Sequence, residues 1–147
     1  MIFERKKYLD ELIAGRGNGL VKIITGVRRC GKSFLLFDIW HNWLLEHGVT
    51  DSHIIEIQLD DFRNRRLRKP DALLDYIDSK VVNDGYPYYI VLDEVQLVEE
   101  FVEVILSLTH MRNVDVYVSG SNSRFLSSDV VTEFRGRGDE IRIWPLT

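Results

Sequence analysis

Apolar residues follow two different periods along the chain, and the two periods alternate. Runs that are continuously apolar, or that alternate apolar with polar residues, predict strands, whereas apolar residues three or four positions apart predict helices. The strand pattern occupies 20–25, 53–59, 88–92 and 114–118, and Ile141, Ile143 and Leu146 indicate a fifth strand. The helix pattern occupies 8–13, 32–46, 71–82 and 101–109, and a further helix or turn is predicted through 125–131.

This alternation predicts an α/β fold in which a parallel sheet is covered by helices on both faces. Gly48 is expected to end the second helix, and Pro70 is expected to open the third. The 147 residues contain no linker, low-complexity stretch or internal repeat. The sequence therefore predicts a single domain over residues 1–147.

The composition narrows the class of protein. With 45% apolar residues the chain can bury a core, and its net charge of −4 gives no general preference for nucleic acid. Cys30 is the single cysteine, so no disulfide forms within the chain and a reducing compartment is expected. No apolar run approaches the ~20 residues that a membrane span needs. We therefore expect a cytoplasmic protein without a membrane partner.

The segment between the first predicted strand and the second predicted helix, at 26–33, reads Gly-Val-Arg-Arg-Cys-Gly-Lys-Ser. It matches the phosphate-binding pattern G-x-x-x-x-G-K-[ST] at every fixed position. Gly26 and Gly31 let the backbone turn its N–H groups toward a phosphate, and the N-terminus of the following helix favours the same anion. Lys32 is expected to reach the β- and γ-phosphates, and the Ser33 hydroxyl to bind Mg²⁺. The segment therefore predicts a site for a nucleoside triphosphate.

The predicted nucleotide-binding set also includes four neighbouring residues. Arg28 and Arg29 either touch phosphate or face solvent, and the sequence leaves both alternatives open. Cys30, inside the loop, and Phe34, directly after it, complete the set.

Two carboxylates, Asp93 and Glu94, directly follow the third predicted strand. Ligands bind at the carboxyl ends of strands in open α/β sheets, so these side chains are expected to face the same ligand as the phosphate loop. Asp93 would hold Mg²⁺ through water, and Glu94 would accept a proton from the water that attacks the γ-phosphate. The alternative is a solvated turn.

The fourth predicted strand ends in Ser119, Gly120, Ser121 and Asn122. Asn122 can both donate to a phosphate oxygen and orient a water, so it is the first candidate for a side chain that senses the γ-phosphate. Ser121 is the second candidate and Ser119 competes with both. An ordinary turn rich in Ser, Gly and Asn explains the same residues equally well.

Two arginines, Arg135 and Arg137, precede the fifth predicted strand. A guanidinium offered to a γ-phosphate stabilises the charge of the transition state, and Arg137 is the predicted catalytic group. If either arginine acts on the ATP of a neighbouring subunit, the protein is a homo-oligomer. The alternative is a solvated loop.

Five of the seven residues from 63 to 69 are basic. Such a patch can bind a phosphate backbone, but in an acidic chain a solvated loop is the favoured interpretation. Nucleic acid is therefore the less favoured partner of this domain.

Four segments together resemble the AAA-type ATPase domain of a prokaryotic group of ATP-binding proteins, which typically carry a second, uncharacterised C-terminal domain. They are the loop 26–33, Leu-Asp-Glu-Val-Gln at 92–96, Val-Ser-Gly-Ser-Asn at 118–122 and Phe-Arg-Gly-Arg at 134–137. The resemblance extends over essentially the whole chain. It implies the additional-strand, catalytic-glutamate type of P-loop fold with strand order 5-1-4-3-2, with ATP and Mg²⁺ as ligands. It also implies that Gln96 helps to position the nucleotide or a switch loop.

The sequence thus predicts an ATPase that couples ATP binding and Mg²⁺-dependent hydrolysis to a conformational change. No helical lid and no second domain follow within 1–147, so weak turnover by this chain alone is expected. A nucleotide-binding switch with negligible turnover stays open as an alternative. A small-molecule P-loop kinase is disfavoured by the Asp-Glu pair and by the polar end of the fourth strand.

Overall fold

The computed structural model describes residues 4–26, 31–121, 134 and 136–144. These residues form one five-stranded sheet in which every neighbouring pair of strands is parallel. The order is β2-β3-β4-β1-β5, which is the predicted order 5-1-4-3-2 counted from the other side. The predicted fold is therefore confirmed. The strands are β1 (Val21–Thr25), β2 (Ile54–Gln58), β3 (Tyr88–Asp93), β4 (Val114–Ser119) and β5 (Gly138–Arg142).

In the described part of the chain, four helices cover the sheet: α1 (Arg5–Gly15), α2 (Lys32–Glu46), α3 (Pro70–Lys80) and α4 (Phe101–Leu108). The middle of α2, Leu35–Trp40, is a π-helical segment between two α-helical ones, which the apolar pattern did not predict. Gly48 adopts φ 92° after α2, and Pro70 is the first residue of α3, so both predicted helix boundaries are confirmed. None of the helices in the described ranges is long and apolar enough to cross a membrane.

The core lies in two layers, one on each face of the sheet. Successive residues of a strand point to opposite faces, so Ile23 packs in one layer and Ile24 in the other. α1 and α2 cover the Ile24 layer, and α3 and α4 cover the Ile23 layer. Continuously apolar strands such as β3 are therefore buried on both faces, as the sequence pattern indicates.

Most element boundaries shift by one to three residues from the prediction, and those of β5 and α3 have a clear structural reason. β5 begins at Gly138, because it pairs with β1 from Val21↔Gly138 onward although its first residues are polar. β5 is an edge strand, and its Asp139 and Glu140 are only half-buried. The apolar residues from which a strand is predicted therefore begin only at Ile141. α3 ends at Lys80 because the backbone is extended at Val81. The helix or turn predicted through 125–131 lies outside the described residues.

A buried polar network lies where the strands begin, at what we call the amino edge of the sheet. Lys22 is fully buried, and its Nζ donates to Asp115 Oδ1 at 2.6 Å and to Asn18 Oδ1 at 2.9 Å. Asp115 Oδ2 accepts hydrogen bonds from Gly17 N at 2.9 Å and from the Tyr117 hydroxyl at 2.6 Å. Burial, together with the Asp115 charge, raises the pKa of Tyr117, so this hydroxyl stays protonated and donates. The ion pair between Lys22 and Asp115 therefore connects β1 to β4.

Candidate active site at the carboxyl edge of the sheet

The predicted phosphate loop lies where β1 ends, at the opposite, carboxyl edge of the sheet. Gly26 has φ 150° and Gly31 has φ 102°, conformations that residues with a side chain rarely adopt. Both glycines therefore adopt backbone conformations that favour glycine, and their contact with a phosphate stays a prediction. The loop positions between them, with Arg28, Arg29 and Cys30, lie outside the described residues, so their contacts with a nucleotide stay predictions.

Lys32 and Ser33 occupy the first turn of α2. Lys32 is 5% exposed, and its Nζ donates to the Gly26 carbonyl at 3.0 Å, which brings the ammonium group back across the loop. Ser33 is exposed, and its hydroxyl donates to Asp93 Oδ2 at 2.7 Å. The structure therefore brings the loop and the end of β3 together, as the sequence predicted.

Ser33 and Asp93 form a donor set that fits Mg²⁺. A hydroxyl and a carboxylate are hard oxygen ligands, and the Ser33–Asp93 contact places them side by side. Burial raises the pKa of Asp93, and the nearby Glu94 and Asp60 charges raise it further, while hydrogen bonds from Ser119 and Ser33 oppose the shift. A buried carboxylate among other carboxylates is stabilised by a cation.

Ser119 holds the end of β3 in place. Its side chain is fully buried, and its hydroxyl donates to Asp93 Oδ1 and accepts from Glu94 N at 3.2 Å. Its one donor hydrogen is therefore used within the protein, and the Ser121 hydroxyl likewise donates to Glu94. Which of Ser119, Ser121 and Asn122 senses the γ-phosphate stays a prediction.

Glu94 adopts an unusual backbone conformation at the end of β3. Its φ of 55° and ψ of 50° are left-handed, which for a residue other than glycine costs about 1–3 kcal/mol. The Glu94 carboxylate accepts from the Ser121 hydroxyl, at 2.7 Å to Oε1 and 3.1 Å to Oε2, and from Gln96 Nε2 at 2.8 Å. The carboxylate is thus held from two sides beside Asp93. Such conformations persist where surrounding contacts fix them, and they are concentrated at functional sites.

The contact between Gln96 and Glu94 was not found by sequence reasoning. The resemblance assigned Gln96 only a general positioning role, whereas the structure shows its amide directly on Glu94. Gln96 Oε1 is buried and has no hydrogen-bond partner within the described part of the chain. The two-residue spacing from Glu94 was the only signal in the sequence, and it becomes a contact because a 3-10 turn (Val95–Leu97) follows the strand.

Phe34 lies on the exposed side of the loop. Its ring is 39% exposed, and the Arg5 guanidinium of α1 lies 5.7 Å from the ring centroid. A contact between this ring and a nucleotide stays a prediction. Asn122 lies outside the described residues, so its role stays a prediction.

Arg137 is not brought to this site. It precedes Gly138, which pairs with Val21 at the start of β1, so it lies at the amino edge. Its guanidinium donates to His110 Nε2 at 2.7 Å and to Thr109 Oγ1 at 3.4 Å. A catalytic role for Arg137 at the site of its own chain is therefore wrong, because the length of the sheet separates the two. A role at a neighbouring subunit stays a prediction, and Arg135 lies outside the described residues.

The site and the strand order together define a class of protein. Gly26 and Gly31 bound the segment that leads from β1 into α2, and Ser33 at the start of α2 contacts the Asp-Glu pair on a strand separated from β1 by one other strand. This arrangement is that of a P-loop nucleoside triphosphatase. The chain belongs to the AAA domain family AAA_14, whose family model matches residues 18–147.

Two curated relatives each match more than four fifths of the chain. An uncharacterized protein of Haemophilus influenzae is 30% identical over 146 residues, which are 99% of this chain and 36% of the relative. The uncharacterized protein MJ1544 of Methanocaldococcus jannaschii is 28% identical over 130 residues, 86% of this chain and 26% of the relative. The chain therefore spans well under half the length of both relatives.

Several solved structures share this fold. The chain resembles PCH-2 of C. elegans with a TM-score of 0.65 and 13% identity, over 96% of this chain and 44% of PCH-2. It resembles a chain of Drosophila ORC bound to DNA with a TM-score of 0.61 and 11% identity, over 97% and 91% of the two chains. It resembles a DNA polymerase III gamma subunit-related protein of Thermotoga maritima with a TM-score of 0.57 and 11% identity, over 93% of this chain and 46% of that protein. At these identities the likeness shows the fold alone.

Proposed function

We propose that this domain binds ATP with Mg²⁺, hydrolyses it to ADP and phosphate, and couples that cycle to a conformational change of a cytoplasmic protein. The observation that carries the proposal is one continuous set of hydrogen bonds at the carboxyl edge. It leads from Ser33 through Asp93 and Ser119 to Glu94 and Ser121. A phosphate-loop hydroxyl, a carboxylate suited to Mg²⁺ and a second carboxylate suited to proton transfer are thereby fixed side by side.

Each residue has a separate task in this proposal. Lys32 binds the β- and γ-phosphates, and moving its Nζ from the Gly26 carbonyl to phosphate exchanges a neutral acceptor for a charged one. Ser33 and Asp93 hold Mg²⁺, which neutralises developing negative charge when it is bound. Glu94 accepts the proton of the attacking water. Ser121 and Gln96 are positioning residues that orient the Glu94 carboxylate.

Replacing Lys32 with Ala should weaken ATP binding by at least about tenfold, because a charged contact with phosphate is lost. The measurement is titration of labelled ATP with Mg²⁺, followed by fluorescence. Lys80→Ala is the matched control, because this exposed lysine lies at the end of α3. If Lys32→Ala binds ATP as tightly as the wild type while Lys80→Ala is also unchanged, the loop does not bind nucleotide in the proposed way.

A nucleotide switch with negligible turnover is the second candidate. The observation that favours it is the set of hydrogen bonds from Ser121 and Gln96 to the Glu94 carboxylate, since these donors occupy acceptor sites that an attacking water would otherwise use. Single-turnover phosphate release from bound Mg-ATP separates the two candidates. An ATPase releases phosphate at a rate that depends on Glu94, whereas a switch keeps ATP intact.

The position of Arg137 gives a prediction about assembly. If Arg137 acts on the ATP of a neighbouring subunit, Arg137→Ala should lower phosphate release without weakening ATP binding to its own chain, from which it is remote. Mixing Arg137→Ala with Lys32→Ala should restore part of the activity, because one chain keeps the arginine and the other keeps the loop. Activity per chain that is constant over a wide dilution range, without rescue on mixing, would contradict an arginine acting between subunits.

A further inference from the structure

The segment after β2 presents an aromatic ring and several arginines at the carboxyl edge of the sheet. We call residues 62–69 the basic platform; it consists of a 3-10 helix, Phe62–Arg68, and Lys69. Phe62 is 68% exposed, and Arg65 and Arg66 are exposed beside it. The side chains of Phe62, Arg65 and Arg66 belong neither to the proposed nucleotide site nor to the core.

The basic platform is anchored from below and is therefore pre-formed. The Asp61 carboxylate accepts from Arg63 N at 3.0 Å and caps the 3-10 helix. Asn64 Nδ2 donates to the Gln58 carbonyl at 3.0 Å, and Leu67 is buried at 3% exposure. A ligand that binds a pre-formed surface does not have to order it, which improves the affinity.

The charges on the platform are only partly neutralised. Arg63 pairs with Asp61 at 2.9 Å, and Lys69 pairs with Glu99 at 2.7 Å. Among the residues that the structure describes, neither Arg65 nor Arg66 has an acidic partner. The Arg65 guanidinium lies 4.2 Å from the centroid of the Phe62 ring. The exposed surface is thus a ring with a cation stacked on it and a second cation next to it.

We propose that the basic platform binds single-stranded nucleic acid, with a base stacked at Phe62 and the backbone phosphates on Arg65 and Arg66. Aromatic rings interleaved with arginines bind single strands because every base offers a face for stacking and every linkage carries a charge. An acidic polypeptide would use the arginines but not the exposed ring. The acidic net charge of the chain does not prevent this, because charges beyond about 8 Å are screened at physiological salt.

The platform is also joined directly to the proposed active site. The backbone of Leu59 links them, since Leu59 N donates to the Asp93 carbonyl at 3.1 Å and the Leu59 carbonyl accepts from Arg68 Nε at 2.9 Å. Two hydrogen bonds therefore connect the platform to the end of β3. Binding of a strand to the platform does not depend on the proposed function.

The test is the fluorescence anisotropy of a labelled oligothymidylate of about 16 nucleotides, without nucleotide, at low and at physiological salt. Arg65→Glu/Arg66→Glu should weaken binding at least tenfold and reduce its salt dependence, and Phe62→Ala should weaken it by about fivefold or more. The matched control is Lys80→Glu/Arg112→Glu, which makes the same charge change at exposed residues away from the platform and should change binding less than twofold. Far-ultraviolet circular dichroism checks that each variant is folded.

Three results would overturn the proposal. One is that the wild-type protein does not bind the oligothymidylate even at low salt. Another is that the control pair weakens binding as much as the platform pair, which would mean unspecific charge attraction. The third is that Phe62→Ala has no effect and poly-glutamate competes as well as the oligonucleotide, which would identify an acidic polypeptide as the partner.

The same experiment keeps this proposal separate from the ATPase proposal. Lys32→Ala should bind the oligothymidylate like the wild type in the absence of nucleotide, because Lys32 lies in the phosphate loop. If phosphate release fails but the platform variants lose the strand as expected, the proposed function is wrong and the platform proposal stands.

Discussion

Glu94→Gln should lower the rate of phosphate release by about 100-fold or more while leaving the affinity for Mg-ATP within a few-fold of the wild type. An amide cannot accept the proton of the attacking water, but its oxygen can still accept hydrogen bonds from Ser121 and Gln96. The side chain should therefore keep its place and lose only its basicity. Single-turnover phosphate release and ATP titration on the same samples measure the two effects separately.

The chain offers a close control for this substitution. Glu100 also has a left-handed backbone, with φ 51°, but it lies at the start of α4 and is exposed. Glu100→Gln makes the same chemical change in the same backbone conformation and should leave phosphate release unchanged. If Glu94→Gln hydrolyses ATP at the wild-type rate, Glu94 is not the base, and the switch becomes the better explanation of the site.

Asp115→Ala should lower the free energy of unfolding by about 3–5 kcal/mol. Removing this carboxylate leaves the fully buried Lys22 ammonium without its ion pair and removes the acceptor of both Gly17 N and the Tyr117 hydroxyl. An uncompensated buried charge costs far more than a lost surface contact. Urea unfolding followed by circular dichroism at neutral pH gives the difference.

Asp10→Ala is the matched control for Asp115→Ala. Asp10 pairs with Lys6 at 3.0 Å on the exposed face of α1, and such a pair contributes no more than about 0.5 kcal/mol. Lys22→Met/Asp115→Leu should be less destabilised than Asp115→Ala, because it removes both charges and leaves no buried ammonium unpaired. A loss near 1 kcal/mol for Asp115→Ala would mean that water reaches Lys22 and that the network is not dry.

Arg137 shows why a motif in the sequence did not determine a position in the site. The arginine lies just before a strand, as predicted, but a role at the site of its own chain would need it beside the phosphates. Parallel strands all begin at one edge and end at the other, so a residue before β5 lies opposite the residues that follow β1 and β3. The spacing along the chain carries no information about this; the direction and the register of β5 decide it.

The sequence by itself determined β1 to β4 and the glycine-bounded segment between β1 and α2, because apolar periodicity and glycine conformation are local properties. That Asp93 faces this segment followed from the rule that ligands bind at the carboxyl ends of strands in open α/β sheets. The tertiary structure alone decided how the carboxylates are held. Ser119 supports Asp93 and Glu94, and Ser121 contacts Glu94, because β4 lies between β1 and β3. It also decided that Lys22, in an apolar strand, is neutralised by a residue 93 positions away. Contacts between distant segments depend on strand order and register, which no local pattern encodes.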